Sequence, residues 1–190
     1  MSRTVGFWKW WNNALPHRMH IKRHVPKFLS TCPDSVRGAV LELGAGHGWT
    51  SQTILETFPY VELTCVEVDE SAQEVFSELQ DTYGKRLAIQ KADIRSLPFD
   101  RESFDVVIAI NTIGYIEDSE VAFVLQEALR VLKKGALLGI SDGTIATMPS
   151  RAKRMLVEKI VLEEGCELEY VKKGLRFSLW ARKSGVDSEL

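Results

Sequence analysis

The chain lacks several features that would place it outside an ordinary globular class. Its three cysteines, Cys32, Cys65 and Cys166, form no C-x-x-C pair, so the sequence predicts neither a zinc knuckle nor a redox couple. No apolar run reaches the roughly 18 residues of a membrane-spanning helix, and the amino terminus lacks the apolar stretch of a signal peptide. We therefore expect a cytoplasmic protein.

Length and charge limit the possibilities further. With 190 residues, 45% of them apolar, the chain is long enough for one domain and too short for two ordinary ones. Basic and acidic residues nearly balance, 24 against 26, which argues against DNA as a partner bound through a broad basic surface. The charge is uneven, however, because residues 1–33 carry basic side chains and no acidic one. This asymmetry predicts a separate role for the opening segment.

Short apolar runs alternate with helical patterns along the chain. Strands are predicted at residues 39–43, 61–68, 87–91, 104–110 and 136–141, with a closing hairpin at 166–172 and 175–182. Helices are predicted at 49–58, from a capping box at 71–74 to Gly84, from Asp118 to Gly135, and at 155–164. The alternation predicts an α/β fold in which a doubly wound, mainly parallel sheet has a ligand crevice at its carboxyl edge. The expected single domain consists of a helical cap at 1–36, a core at 37–183 and a tail at 184–190.

A glycine-rich turn follows the first strand directly. Gly44, Gly46 and Gly48 occupy it, and glycine at these positions lets the backbone come within contact distance of a ligand. The dinucleotide fingerprint G-x-G-x-x-G would need a glycine where Trp49 stands, which argues against NAD. Glu42, two residues before the turn, favours a cationic ligand over a diphosphate. A sulfonium compound with an α-amino group is such a ligand.

Acidic side chains follow the next two strands. Glu67 ends the second strand, at about the distance past the turn where a carboxylate accepts hydrogen bonds from ribose hydroxyls. Asp69 competes for that role, because side chains two residues apart on a strand point the same way. Asp93 follows the third strand, where its carboxylate can accept from an exocyclic amine while Ile94 packs on the ring. These residues predict a pocket that recognises a ribose and an adenine.

Five segments resemble those of the class I S-adenosylmethionine-dependent methyltransferases, particularly the ubiquinone and menaquinone biosynthesis branch. They are residues 40–48, 65–69, 92–99, 104–107 and 129–135. The resemblance implies S-adenosylmethionine as the cofactor and a Rossmann-like, seven-stranded sheet of order 3-2-1-4-5-7-6 with an antiparallel last strand. The cofactor-binding residues it implies are Glu42, Gly44, Ala45, Gly46, Gly48, Glu67, Val68, Asp93, Ile94 and Asn111. One departure is Glu67, where that branch commonly has an aspartate.

The methyl acceptor is less clearly marked. Methyl transfer is an in-line displacement that gains most of its rate from alignment and from exclusion of water, so no acid or base is obligatory. Tyr115 is expected to line the acceptor pocket, and His20 is a candidate base alongside His17, His47 and Asp142.

The fourth strand is followed by Asn111-Thr-Ile-Gly114 instead of the Asn/Asp-Pro-Pro-Tyr/Phe turn of enzymes that methylate amino groups of bases or glutamine. This difference argues against those acceptors. A small-molecule or lipid-like acceptor is the preferred interpretation. A protein or RNA acceptor, and a subunit that binds the cofactor without turning it over, stay open.

Residues 3–27 combine aromatic and basic side chains. The apolar members of one helical face are Phe7, Trp8, Trp11, Ala14 and Leu15. One interpretation is a cap helix that closes the acceptor pocket, and the other is an interfacial helix that contacts an anionic membrane. His17, His20 and His24 would share a side of a continuous helix, but Pro26 is expected to interrupt it and no carboxylate assists, so no metal is predicted.

Overall fold

The computed structural model describes residues 15–70, 72–143, 149–172 and 176–185, without the side chains of residues 15–18 and 73. The predicted aromatic face of the opening segment therefore lies largely outside the described residues, as do Ser71 of the predicted capping box and the side chain of His17. Within these ranges, no helix is both long and apolar enough to cross a bilayer.

Five helices and seven strands make up the part of the chain that the structure describes. The helices are α1 Leu15–Leu29, α2 Trp49–Thr57, α3 Ala72–Tyr83, α4 Val121–Val131 and α5 Arg151–Glu163. The strands are β1 Gly38–Leu43, β2 Val61–Glu67, β3 Leu87–Lys91, β4 Phe104–Ile110, β5 Leu132–Asp142, β6 Glu167–Lys172 and β7 Phe177–Arg182. Short 3-10 turns cover Gly84–Arg86, Ile113–Tyr115 and Asp118–Glu120.

The strands form one sheet of order β3-β2-β1-β4-β5-β7-β6, which confirms the order implied by the resemblance. Neighbours from β3 to β5 are parallel, whereas β7 runs antiparallel to both β5 and β6. One apolar core, on the face covered by α4 and α5, includes Leu41, Val107 and Leu138. The other, on the face covered by α1, α2 and α3, includes Val40 and Ile108. Helices thus cover both faces and leave the strand ends as the place for a site.

The boundary between α4 and β5 differs from the sequence prediction. The helix ends at Val131 instead of Gly135, and the strand begins at Leu132 instead of Ala136. Leu132 is fully buried and pairs with Phe104 of β4, so strand pairing outweighs the helical spacing of the apolar residues. The register shifts just after this pair, where Gly135 adopts a φ of 73° inside the strand.

Helix α5 begins at Arg151, earlier than the predicted start at Met155. Its first turn is fixed by Ser150, whose hydroxyl accepts a hydrogen bond from the Lys153 amide at 3.0 Å. A serine directly after Pro149 is an ordinary start signal that the apolar spacing alone does not show. The additional first turn places Lys153 on the helix.

Helix α1 runs through Pro26 to Leu29, so the predicted interruption is wrong. Proline removes one helical N–H, but the neighbouring Val25, Phe28 and Leu29 are buried in the core, and this burial holds the helix together. The Trp180 ring of β7 stacks on Phe28 with centroids 4.8 Å apart and planes 8° from parallel. Its indole N–H donates to the Thr31 hydroxyl at 3.2 Å. The described part of the cap is therefore a fixed part of the core.

Strand β5 ends in Ser141 and Asp142, whose side chains point to opposite faces of the sheet. On one face, the Ser141 hydroxyl lies 2.9 Å from Nε2 of His24 in α1. Burial, followed by the charge of Arg176, lowers the pKa of His24 to about 3, so this histidine stays neutral. On the other face, the Asp142 carboxylate accepts a hydrogen bond from the Gly114 amide at 3.3 Å. One strand end thus contacts both α1 and the turn after β4.

Candidate functional site

A cavity of about 630 Å³ opens beyond the carboxyl ends of the parallel strands, a size typical of small-molecule sites. Segments after β1, β2, β3 and β4 line it, together with Ile21 of α1. The sequence-predicted residues that line it are Gly44, Ala45, Gly46, Glu67, Val68, Asp93, Ile94, Asn111 and Tyr115, together with the alternative candidates His47 and Asp69. Glu42, Gly48 and His20 are not among the lining residues, although all three were expected at the site.

The glycine turn presents bare backbone to this cavity. Gly46 has a φ of 54°, and a Cβ added there would have no heavy atom within 4 Å, so it would project into open space. At Gly44 a Cβ would lie 2.6 Å from Cγ2 of Thr112, and at Gly48 it would lie 2.7 Å from Cδ1 of Leu79. The three glycines therefore differ: Gly46 leaves room for a ligand, whereas Gly44 and Gly48 are needed for packing within the protein.

Glu67 fastens the glycine turn to the end of β2. One carboxylate oxygen accepts from the Gly46 amide at 2.8 Å. The other accepts from the amides of Val68 at 2.8 Å and Asp69 at 3.0 Å. A carboxylate has about four acceptor positions, so these three bonds leave capacity for a ribose hydroxyl. The spacing of the sequence predicted the acid but not its bond to the glycine turn.

Glu42 lies behind the glycine turn in a closed polar cluster. Its Oε2 accepts from the Ser51 hydroxyl at 2.6 Å and is 3.5 Å from the Cys65 thiol. Burial raises the pKa of Glu42 to about 7, although the Ser51 and Cys65 hydrogen bonds act in the opposite direction. Because the Glu42 side chain is almost fully buried, it does not line the cavity. It would favour a cationic ligand through the charge of its carboxylate behind the turn, without a direct contact.

We expect the wild-type protein to lose stability as pH rises, and Glu42→Gln to remove part of that loss. The folded state favours the neutral carboxyl up to about pH 7, whereas an unfolded chain ionises it near pH 4.5. Its stabilising contribution is therefore complete below about pH 4.5 and is lost toward pH 7, by up to about 3 kcal/mol. Glutamine keeps an oxygen for the Ser51 hydroxyl but has no charge to bury. Urea unfolding at about pH 5 and pH 8 measures the difference.

The control is Glu62→Gln, because Glu62 is exposed on β2. This variant should follow the wild-type pH dependence. Asp142, whose pKa burial also raises to about 7, keeps part of the slope in both variants. If the unfolding free energies of wild type and Glu42→Gln change with pH in parallel, the folded state does not favour the neutral carboxyl of Glu42.

Asp93 and Arg95 form a fork at the adenine end of the predicted pocket. Nε of Arg95 lies 2.9 Å from Oδ1 of Asp93, and a second guanidinium nitrogen contacts Oδ2. The Arg95 side chain holds the pKa of the Asp93 carboxyl below its usual range. Arg95 also contacts Glu120, which precedes α4, and so joins two sides of the cavity. The predicted adenine contact of Asp93 would share its carboxylate with Arg95.

The wall after β4 carries Asn111, Thr112 and Tyr115. Asn111 adopts a left-handed φ of 55°, and its backbone N–H donates to the Ser141 carbonyl at 2.8 Å. The Thr112 hydroxyl donates to the Leu43 carbonyl at 2.9 Å, which joins this wall to the glycine turn. Tyr115 is 53% exposed, and burial together with the charge of Asp142 raises its pKa. A neutral phenol on this wall can donate a hydrogen bond.

His20 lies away from the cavity lining. The Arg176 guanidinium is 2.6 Å from its Nε2 and 2.9 Å from its Nδ1. The structure therefore places this candidate base against a cation that is distant in sequence. Across the described ranges, no group of three or more His, Cys, Asp or Glu side chains could hold a metal ion.

The charges of the cavity fit a cationic nucleoside cofactor. Four lining residues are acidic, Glu67, Asp69, Asp93 and Glu120, whereas Arg95 is basic. The bare Gly46 backbone and the free capacity of Glu67 provide polar groups beside open space. These features suit S-adenosylmethionine, the cofactor that the sequence resemblance implies.

Several lining residues were not predicted as site residues from the sequence. They are Ile21, Trp49, Thr50, Val66, Ala72, Ala92, Arg95, Ile110, Thr112, Ile116 and Glu120. Arg95 could have been found from its place two residues after Asp93. Ile21 could not, because its role depends on where α1 packs.

A family model described as a methyltransferase domain matches residues 40–135. The O-methyltransferase resE of Aspergillus sclerotiorum is 29% identical, over 73% of this chain and 52% of its own length. An O-methyltransferase of Pyrenophora dematioidea is also 29% identical, over 85% and 54%. The PH0226 protein of Pyrococcus horikoshii has the same fold, with a TM-score of 0.73 at 21% identity over 90% of this chain and 93% of that one.

The chain spans about half the length of these curated relatives. Neither of their names refers to ubiquinone or menaquinone, so the resemblance to that branch stays a prediction. The family match covers the glycine turn, Glu67, Asp93 and the whole of β4. The chain belongs to this methyltransferase domain family, one of the families of class I S-adenosylmethionine-dependent methyltransferases.

Proposed function

We propose that this enzyme transfers a methyl group from S-adenosylmethionine to an oxygen atom of a small, largely apolar acceptor. The observation that carries the proposal is the unequal lining of the cavity. The end that holds Glu67 and Asp69 is acidic, whereas the wall after β4 presents Tyr115 and Ile116. Arg95 pairs with Asp93 and with Glu120, so the carboxylate beside Ile116 does not make this wall acidic. An acidic end suits the cationic cofactor, and a wall of apolar and phenolic side chains suits an apolar acceptor with a polar handle.

Two further observations support an oxygen acceptor of modest size. Both curated relatives described above are named O-methyltransferases. In addition, Ile21 of α1 adds an apolar side chain to the lining of a cavity of about 630 Å³, a volume that suits a small molecule better than a folded macromolecule.

The residues of this chain would act mainly by alignment. The bound cofactor supplies an electrophilic methyl group on a positively charged sulfur. The glycine turn and Glu67 would hold the nucleoside side, while the wall after β4 would hold the acceptor. The Tyr115 phenol is protonated at neutral pH, and its raised pKa keeps it so, which lets it donate a hydrogen bond that orients the acceptor oxygen. The acceptor would attack as a phenolate or carboxylate that has already lost its proton to water, and S-adenosylhomocysteine would be the leaving group. Asp142 is fully buried and does not line the cavity.

Methyl-labelled S-adenosylmethionine tests the proposal. The purified protein is incubated separately with a set of simple phenols and carboxylic acids, with anionic phospholipid vesicles, with RNA, and with a protein extract. We expect label in the phenol or acid fraction, released as an O-methyl compound. We also expect Tyr115→Phe to lower kcat/KM by roughly tenfold, because one orienting hydrogen bond is lost.

The other fractions identify the alternatives. Label in protein or RNA would replace the small acceptor with a macromolecular one. Label in phospholipid would favour a membrane-bound acceptor, for which the exposed Lys22, Arg23 and Lys27 of α1 offer a basic surface. Binding of S-adenosylhomocysteine without label in any fraction would point to a subunit that binds the cofactor without using it.

A further inference from the structure

One buried carboxylate lies directly beneath the acceptor-side wall. Asp142 ends β5, is fully buried, and accepts from the Gly114 amide at 3.3 Å. The amides of Ile113 and Thr112 lie close enough to lower the pKa of Asp142, although the hydrogen bond within 3.5 Å comes from Gly114. These three amides begin the 3-10 turn that carries Tyr115. A carboxylate that accepts a hydrogen bond from one amide of a turn, with the two preceding amides nearby, restrains the shape of that turn.

A buried cation fastens the other end of the same wall. Lys153 in α5 contacts the Ile116 carbonyl through Nζ and lies 3.2 Å from Oδ1 of Asp118. The Lys153 side chain is only 11% exposed, and its charge also acts on Asp142. Because α5 starts at Arg151, its first turn carries Lys153 to this position.

We propose that Asp142 and Lys153 are positioning residues that together hold residues 112–118, and with them Tyr115, in the shape of the acceptor-side wall. Neither touches the reacting atoms, and the proposal rests on the proposed function only in treating this wall as the acceptor side. Burying two ionisable side chains costs desolvation free energy, and a pair of apolar side chains of similar volume often gives a protein that is at least as stable. Their use here is explained by the polar backbone groups that they hold.

The pH dependence of the wall follows from the groups around Asp142. Burial raises the pKa of Asp142 to about 7, while the Gly114 amide and the charge of Lys153 act in the opposite direction. Tyr115 lies close enough for the Asp142 charge to act on it, and residues 144–148 contain no titratable side chain. When residues 112–116 open locally, water reaches Asp142 and its carboxyl returns to an ordinary pKa. The folded turn is therefore favoured over the locally opened one at low pH, and this preference is lost as pH rises from about 4 to about 7.

Amide hydrogen exchange measures the wall without any acceptor. Full-length wild type, Asp142→Ala, Asp142→Asn and Lys153→Met are compared across pH, after correction for intrinsic exchange rates. Asp142→Ala should speed exchange at residues 112–116 by roughly tenfold, because the Gly114 amide loses its acceptor and the turn loses the carboxylate that restrains it. Asp142→Asn should have a smaller effect, since its carbonyl can still accept, but it should abolish the pH dependence. Lys153→Met should move the midpoint upward, because a stabilising cation is lost.

The matched control is Glu117→Gln, an exposed carboxyl on the same segment, which should exchange as wild type does. Unchanged exchange in Asp142→Ala, or acceleration spread equally over β1 and β4, would overturn the proposal in favour of a general role in stability. A pH dependence that survives in Asp142→Asn would also overturn it. These outcomes do not depend on methyl transfer. A failure of the proposed function in the label-transfer experiment can therefore be told apart from a failure of this proposal in the exchange experiment.

Discussion

Gly46→Val is expected to weaken binding of S-adenosylhomocysteine by at least about a hundredfold, which is about 3 kcal/mol. The valine side chain would start from a Cβ that has no protein atom within 4 Å and would occupy the cavity where backbone now faces open space. The fold should tolerate the change, apart from about 1–2 kcal/mol for a β-branched residue at a φ of 54°. Isothermal calorimetry and urea unfolding separate the two effects.

The chain offers a closely matched control in Gly84→Val. Gly84 has a φ of 55°, also has no atom within 4 Å of an added Cβ, and is not among the cavity-lining residues. This variant should lose the same stability and keep wild-type affinity. If both variants bind S-adenosylhomocysteine equally well, the glycine turn is not the contact surface of the cofactor.

Trp180→Ala is expected to cost about 3–5 kcal/mol of unfolding free energy, the largest stability effect that we predict. Trp180 is fully buried, stacks on Phe28, and covers Gly139, where an added Cβ would lie 2.5 Å from the indole ring. Truncation leaves a cavity between β7 and α1 and removes the hydrogen bond to Thr31. For a chain of this length the midpoint of thermal unfolding should fall by about 10 °C.

The control for Trp180→Ala is Tyr60→Ala, which removes an aromatic ring that is 85% exposed. This variant should change the free energy of unfolding by less than about 0.5 kcal/mol. Limited proteolysis adds a second measurement, because loss of the Phe28 stack should expose the segment between α1 and β1 to cleavage first. A cost of less than about 1 kcal/mol for Trp180→Ala would mean that α1 does not depend on this contact.

The parts of the fold that local pattern determines were predictable. The strand Phe104–Ile110, apolar apart from Asp105, is a central strand with helices on both sides, as burial on both faces requires. The end of α4 was not predictable, because the burial of Leu132 and its pairing with Phe104 depend on a strand far away in sequence. Helical spacing simply continues past that point.

The site shows the same division. Spacing after each strand predicted that Glu67 and Asp93 lie at one edge of the sheet, where the carboxyl ends of parallel strands meet, and both line the cavity there. It did not show that Glu67 holds the glycine turn or that Asp93 pairs with Arg95, because both contacts depend on side-chain geometry. The contact between His20 and Arg176 is a further example, since Arg176 directly precedes β7 and no local sequence pattern connects the two residues.

The opposite orientations of Ser141 and Asp142 have a consequence for engineering. Ser141 supports α1, which carries Ile21, and Asp142 supports the turn that carries Tyr115. Since the two supports are on different faces of the sheet, Ile21 and Tyr115 can be randomised in separate libraries while both supports are kept. Directed evolution toward new acceptors would then explore two nearly independent surfaces, and improved variants from each could be recombined.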